Sequence, residues 1–454
     1  MLSAMHVIIV GAGEVGRYLA QRLGAEGNDV VVVEQDEATA AALGQELDVQ
    51  VVVGSATVPS TLAAAGIDKA DLLAGVTQND EVNLIASLLA KDAGVAQTVA
   101  RIQTEELRGP AGASLLEAMR ADLIIDPDAD TADEIMEIAR VGGADEVYPM
   151  SVGELLVIGA VIGEDSSLSG QSLAQIGARY EPEWRFLFGA LTRHGETVIP
   201  RGDQVLEPGD HVRVLTTRSA RRELLSLLGA TQRRAKRVMV LGGGAIGSRV
   251  AERLCGEGAE VVLVERDIER ARVLSERLRY VRIVNGDIGD VDLLNEESIT
   301  RMDLVIAATG DDAANVLACA FAAAGASSPF TVAVLHRLAL LPLVRQFGID
   351  ASLSPRTASA NAVLRHVRGG TASVATFLES DIEVDEYVIE DGAPAVGMRV
   401  ADLHLPHSVV LGAVIRPGEE GRIVRGSTVL SAGDNVVVFS RPESVPDLLK
   451  AFSA

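Results

Sequence analysis

The chain writes one pattern twice. VIIVGAGEVGRYLAQRLGAEGNDVVVVEQD runs from Val7 to Asp36, and VMVLGGGAIGSRVAERLCGEGAEVVLVERD runs from Val238 to Asp267. Gly11 and Gly242 lie 231 positions apart, and so do Glu34 and Glu265. A single G-x-G-x-x-G says little, because glycine-rich turns are common. Two copies, each with an apolar strand before, a helix after and an acid at the same distance, point to two dinucleotide-type pockets.

The chemistry of each copy follows from its residues. Val7–Val10 and Val238–Leu241 are branched apolar runs suited to parallel strands buried on both faces. Gly11 and Gly242 allow the turn out of the strand. Gly13 and Gly244 let a pyrophosphate approach the backbone, and Gly16 and Gly247 let the helix close on the sheet. The first amides and the positive end of that helix then face the phosphates. The second strands, Val30–Val33 and Val261–Val264, end in Glu34 and Glu265, placed to accept from ribose hydroxyls. A carboxylate there repels a 2′-phosphate, so NAD(H) or another adenosine nucleotide fits better than NADP(H). Arg266, next to the second acid, weakens that discrimination in the second pocket.

The duplication runs past the fingerprint. Gly54, Leu62, Ile67, Asp71 and Thr77 match Gly286, Leu294, Ile299, Asp303 and Thr309 at a spacing of 232. Each lobe reads strand–helix–strand–helix–strand, with Thr77 and Thr309 at the carboxyl end of the fourth strand, the edge where doubly wound sheets bind ligands. A fifth strand, Val99–Ile102 or Val332–Leu335, completes the expected pattern. Further on, IPRGDQVLEPGDHVRVL (Ile199–Leu215) resembles IVRGSTVLSAGDNVVVF (Ile423–Phe439), and SLSGQSLAQI resembles AVGMRVADLHLP. These are short strands punctuated by R-G and G-D turns, as in small mixed domains. The expected order is N–C–N–C, with nucleotide lobes at 1–127 and 235–355 and smaller α+β domains at 141–228 and 370–454.

That order, the GDx motif, the ADLLAGVTQNDEVN segment and the RGDxxLxPGD ending resemble the regulator-of-potassium-conductance (RCK, or KTN) module. The tandem arrangement is similar to the TrkA family, cytosolic regulatory subunits of Trk-type potassium uptake systems. The resemblance implies two Rossmann-like lobes, each followed by an RCK C-type domain. It also implies a homo-oligomer, expected to be a tetramer, on the inner face of the cell membrane beside a TrkH/TrkG-like potassium-translocating subunit. NAD(H), ATP or ADP would then act as regulatory ligands. By the family pattern Arg101 ends the fifth strand and points toward the phosphates, and Gly-Asp follows the third strand.

The halves differ under that pattern. Val334 stands where Arg101 stands in the first lobe, and Gly54-Ser55 replaces the Gly286-Asp287 of the second. The candidate nucleotide-binding residues of the first lobe are Gly11, Ala12, Gly13, Glu14, Val15 and Gly16 of the loop. Glu34, Gly54, Ser55, Thr77, Gln78, Asn79 and Arg101 complete that set. In the second lobe they are Gly242, Gly244, Ala245, Ile246 and Gly247, then Glu265, Gly286, Asp287, Thr309 and Gly310. The first pocket reads as the better di- or triphosphate site, because a charge-assisted contact from Arg101 has no counterpart in the second.

Composition narrows the remaining choices. A net charge of −24 with four lysines disfavours nonspecific binding to DNA or anionic lipid, whose fields repel it. The basic cluster Arg218, Arg221, Arg222, Arg233, Arg234, Lys236 and Arg237 brackets the boundary between the halves, as a solvated linker or a contact surface. Two cysteines, Cys255 and Cys319, give no disulfide framework and fit a reducing cytoplasm. Ala313–His336 is uncharged and long enough to cross a bilayer, but Gly325-Ala326-Ser327-Ser328-Pro329 divides it, so a buried helix and strand are expected. No H-E-x-x-H, C-x-x-C or G-x-S-x-G occurs, and His404 and His407 flank a proline without supporting ligands. No metal site and no catalytic residues are expected. A regulator leads, with an NAD-dependent oxidoreductase or a free-standing nucleotide sensor as alternatives, since the same fingerprint serves all three.

Overall fold

The computed structural model describes residues 5–109, 112–150, 153–181, 185–230, 234–325, 328–367, 374–376, 382–416 and 418–454. Arg233 of the basic cluster and Ala326-Ser327 of the uncharged stretch lie outside them.

The first half forms a parallel sheet of β1 (His6–Val10), β2 (Asp29–Glu34), β3 (Gln50–Val53), β4 (Leu72–Gly75), β5 (Gln97–Arg101) and β6 (Leu123–Ile125). Its order is β3-β2-β1-β4-β5-β6, so the connection reverses direction between β1 and β4. That switch point opens a crevice at the carboxyl ends of the two strands. An antiparallel sheet follows: β7 (Glu146–Met150), β8 (Leu155–Val161), β9 (Phe186–Arg193), β10 (Glu196–Val198) and β11 (His211–Thr217), ordered β10-β9-β11-β8-β7. The second half repeats both. Strands β12 (Arg237–Leu241), β13 (Glu260–Glu265), β14 (Arg282–Asn285), β15 (Leu304–Ala307), β16 (Phe330–Val334) and β17 (Ala351–Leu353) take the order β14-β13-β12-β15-β16-β17. Strands β18 (Val374–Thr376), β19 (Glu383–Val388), β20 (Val409–Ile415), β21 (Arg422–Ile423) and β22 (Asn435–Ser440) form the last sheet, ordered β18-β19-β22-β20-β21.

Each parallel sheet therefore has six strands, not the five read from sequence. The added strands β6 and β17 are three residues long, too short to show a period. The uncharged stretch becomes helix plus strand β16, and among the described residues no helix is long and apolar enough to cross a membrane.

Six helices position the sites: α1 (Glu14–Ala25), α2 (Asp80–Asp92), α3 (Pro127–Val141), α4 (Ala245–Gly256), α5 (Asp312–Ala323) and α6 (Pro355–Val367). Helices α3 and α6 leave their own lobes. Asp126 caps α3 by accepting from the Ala129 amide at 3.0 Å, and Pro127 suits the first turn because its missing N–H would be unpaired there. The apolar face Ala132-Ile135-Met136 then packs in one core with Val250 and Leu254 of α4. Reciprocally, Ala360, Val363 and Leu364 of α6 join Leu19 and Leu23 of α1 in the first lobe's core. Charged pairs flank the α3–α4 contact: Asp126–Arg249 at 2.9 Å, Asp133–Arg253 at 2.5 Å and Arg140–Glu257 at 2.5 Å.

The two antiparallel sheets share a core as well. Met150, Leu155, Val157 and Leu215 of one pack with Val384, Ala413, Val437 and Phe439 of the other. Gly189 is required there, since a Cβ on it would lie 2.2 Å from the fully buried Phe439 ring.

A charged seam joins the first antiparallel sheet to the second lobe. Asp145 accepts from His211 at 2.9 Å and pairs with Arg345 at 3.1 Å, and Arg213 forks onto Glu146 at 2.7 and 2.8 Å. Asp145, Glu146 and His211 are close enough to hold a metal ion. Two arginines already neutralise the carboxylates, however, so the cluster reads as an ion-pair network. Nearby, burial first, and then Asp130, Asp133 and Glu146, push the Glu134 carboxyl up to about 8 against the opposing Arg365.

Two outcomes are expected. Phe439→Ala should cost about 3–5 kcal/mol in denaturant unfolding, the usual range for emptying an aromatic site in a closed core. Glu134 binds its proton more tightly when folded, so its contribution is present below its unfolded value of 4.5 and is lost as pH rises through about 8. Glu134→Gln should therefore raise the melting temperature relative to the unsubstituted chain at pH 9, with the gap closing toward pH 5.

Candidate nucleotide-binding sites

Both loops are open and already shaped. Gly11 and Gly242 have φ of +103° and +107°, which a side chain would strain, and a Cβ on either would press on Thr77 or Thr309. A Cβ on Gly16 would fall 1.8 Å from the Gly11 carbonyl, and one on Gly247 2.0 Å from that of Gly242. Among the described residues, by contrast, nothing lies within 4 Å of the Cβ positions of Gly13 and Gly244. The middle glycine of each loop thus faces free space, where the amino ends of α1 and α4 offer unpaired amides. Ala12, Val15 and Ile246 are buried behind the loops.

The acids of the second strands hold the loops. Glu34 Oε2 accepts from the Ala12 amide at 2.7 Å and Oε1 from Asp36 at 2.9 Å. Glu265 does the same with Gly243 and Asp267, both at 2.8 Å. A carboxylate has about four acceptor positions, so each acid keeps capacity for ribose hydroxyls. Gly54 and Gly286 end the third strands by donating to the Glu34 and Glu265 carbonyls at 2.8 and 3.0 Å. Ser55 bonds Thr57 at 2.8 Å, while Asp287 accepts from Gly289 at 2.8 Å and faces Arg266 at 3.9 Å.

At the fourth strand the structure adds residues that the motif reading left out. Asn83 receives the Thr77 hydroxyl at 2.7 Å and donates to the Arg101 carbonyl at 2.8 Å. Asn315 receives Thr309 at 2.6 Å and donates to the Val334 carbonyl at 2.8 Å. Asp80 accepts from the Gln103 and Thr104 amides at 2.9 and 2.8 Å, and Asp312 from those of His336 and Arg337 at 2.8 and 3.0 Å. These braces tie helices α2 and α5 to the strand ends, so the threonine hydroxyls serve the loop backbone. Their signal was in the sequence, since Asp80/Asp312 and Asn83/Asn315 share the spacing of 232. Asn79 caps α2 by accepting from Val82 at 3.0 Å, and Gln78 and Gly310 are exposed at the crevice mouth.

The pockets differ in charge. Arg101 is only 5% exposed, and its Nε has no hydrogen-bond partner among the described residues. Burial, then the Arg356 guanidinium, holds Arg101 below the usual arginine range, opposed by Asp128 and Asp80. Arg356 belongs to α6 and forms an ion pair with Glu14 at the start of α1. In the second lobe Val334 is fully buried, and Ala245 replaces Glu14. There, Arg249 of α4 is engaged by Asp126 from the first half.

Comparison with known proteins agrees with this architecture. The TrkA-N domain model matches residues 7–127 and 238–355, and the TrkA-C domain model matches 157–229 and 384–453. The Trk system potassium uptake protein TrkA of Halomonas elongata is 33% identical over 441 residues, covering 96% of this chain and 95% of its own. A TrkA homolog of Archaeoglobus fulgidus is 32% identical over 455 residues, covering 99% and 100%. Among solved structures, the GsuK RCK domain covers 100% of this chain and 96% of its own at TM-score 0.58 and 20% identity. The GsuK channel bound to NAD covers 100% and 79% at TM-score 0.59 and 19% identity. At such identities the structural likeness is one of fold.

Glu34→Ala should weaken NADH binding at the first site by about 1–3 kcal/mol, the range for a charged hydrogen bond left unmade. Calorimetric titration checks it, and unchanged affinity would remove Glu34 from the site.

Proposed function

Because the chain belongs to the TrkA family, we propose that it is a nucleotide-responsive regulatory subunit of a Trk-type potassium uptake system. In this reading NAD(H), ATP or ADP binds the fingerprint loops, and the chain acts in the cytoplasm on a TrkH/TrkG-like membrane subunit. A homo-tetramer is the expected assembly, carried over from the family resemblance.

The observation that supports a regulator best is the helix exchange. A ligand on the first loop sits at the amino end of α1, and α1 packs on α6, which comes from the second lobe. Any nucleotide that favours one setting of α1 against α6 therefore favours one setting of the two lobes. Only such differential affinity can shift a gate. A dehydrogenase needs, beside the nicotinamide, an acid or base aimed at a substrate. Asn83, Asp80, Asn315 and Asp312, which line the strand ends there, are instead spent on bracing loop and strand-end backbone.

The candidate residues take roles within this reading. Backbone amides of Gly13, Glu14 and Val15, and of Gly244, Ala245 and Ile246, receive phosphate. Glu34 and Glu265 take ribose, and Arg101 adds a phosphate contact in the first pocket alone. The two pockets would then answer to different ligands, and potassium flux would depend on which nucleotide is in excess.

Purified protein should bind NADH and ATP and turn over neither. Arg101→Ala should lower ATP affinity by about 1.5–3 kcal/mol while adenosine binding changes much less, because the lost contact is to phosphate. Removing the protein should impair potassium uptake, and flux through the reconstituted membrane subunit should respond to nucleotide. Oxidation of NADH at an enzyme-like rate with a defined substrate would favour the oxidoreductase, and flux indifferent to protein and nucleotide would leave a free-standing sensor.

A further inference from the structure

We propose that Arg356, carried into the first site by the second lobe's crossover helix, reads the phosphate chain of a nucleoside di- or triphosphate there, with Glu14 holding its place when phosphate is absent. This rests on the nucleotide-binding reading of the first lobe.

Glu14 is the first residue of α1 and directly follows Gly13, the glycine that faces open space. A carboxylate at this position is unfavourable for a phosphate arriving at the same helix end. It is occupied: Arg356 Nη1 pairs with Glu14 Oε2, which also lies 3.4 Å from the Leu338 amide. Arg101 is almost wholly buried, its Nε has no partner among the described residues, and the Arg356 guanidinium disfavours its charge after burial does. Two guanidinium groups and a helix amino end thus meet beside Glu14, with Asp128 and Asp80 the other carboxylates that bear on Arg101. A phosphate engages both guanidinium groups by taking the Arg356 fork from Glu14 and lying between it and Arg101, which a monoanionic side chain cannot do for both.

The duplicated half serves as an internal control. Helix α3 occupies the place relative to the second lobe that α6 occupies relative to the first. After its leading proline, Pro127 against Pro355, it carries Asp128 where α6 carries Arg356. Ala245 replaces Glu14 and Val334 replaces Arg101. All three charged positions change together between the halves. That is the pattern of one function present in one lobe and absent from the other. Since Arg356 arrives from the opposite lobe, phosphate held by it bridges the lobes directly, whereas an adenosine moiety held by Glu34 touches one lobe alone.

The test is calorimetry on the full chain with ATP, ADP and adenosine, in a Gly244→Trp background whose added side chain fills the open space of the second loop. Arg356→Gln should weaken ATP binding about tenfold or more while adenosine changes less than about twofold, with the melting temperature kept. Glu14→Gln should tighten ATP by removing its competitor. The double variant decides between contact and mere neutralisation. If Arg356 binds phosphate, Glu14→Gln/Arg356→Gln stays about tenfold weaker for ATP than Glu14→Gln alone, and Arg356→Lys recovers part of the loss. Equal ATP affinity in those two variants would overturn the proposal, because Arg356 would then only mask Glu14. Parallel loss of adenosine binding with a lowered melting temperature would make it a packing residue and overturn it too. If the Gly244→Trp chain with Glu14 and Arg356 intact binds neither adenosine nor ATP, the nucleotide reading itself falls.

Discussion

Helices α3 and α6 each complete the core of the lobe they did not come from, and most other relations in the molecule follow from that. An amphipathic helix must bury its apolar face somewhere. The chain carries both helices across the midline, where Ile135 and Met136 share a core with α4 and Val363 and Leu364 share one with α1. Neither lobe can then shift without disturbing the other's core. The second antiparallel sheet, which follows α6, is brought against the first, where Phe439 packs on Gly189. Four sheets become one body through two helices.

The exchange also explains how two copies of one loop become unlike sites. The backbone is nearly the same in both: the same glycine turn, the same acid accepting an amide of the loop, the same asparagine brace beneath the threonine. What differs is supplied at the edges, by the fifth strand and by the visiting helix. Coulombic terms fall slowly with distance in a half-buried setting, so two charges lost and one reversed at the rim change the field over the loop without altering the fold. The two loops share one backbone and differ in charge at Glu14, Arg101 and Arg356, whose counterparts are Ala245, Val334 and Asp128.

The charged seam of Asp145, Glu146, His211, Arg213 and Arg345 belongs to the same logic. It lies where the first antiparallel sheet meets the second lobe, and its charges are matched pair by pair. Buried pairs of this kind add little net stability, since desolvation offsets their attraction, but a mismatched partner there is costly. The seam therefore favours one docking of sheet and lobe over slipped alternatives, and Glu134 beside it makes that docking sensitive to pH.

Sequence alone determined the doubly wound lobes, their number and the position of the glycine loops, because these depend on local patterns repeated at fixed spacing. Apolar runs before Gly11 and Gly242, acids at Glu34 and Glu265 and small residues where backbone meets backbone are legible one position at a time. The asymmetry of Arg101 against Val334 was legible too, since aligned copies expose it. Strands β6 and β17 were not, being three residues long and held by neighbours more than by their own pattern. Nor was the destination of α3 and α6. A helix's period states that it has an apolar face, and nothing in that period names the lobe that will cover it. Arg356 is the sharpest case: 342 residues from Glu14 along the chain, it belongs to the first site only because tertiary packing brings α6 across. Contacts within a motif are written in its spacing, whereas contacts between motifs depend on how separate apolar faces find closed packing, which the complete fold decides.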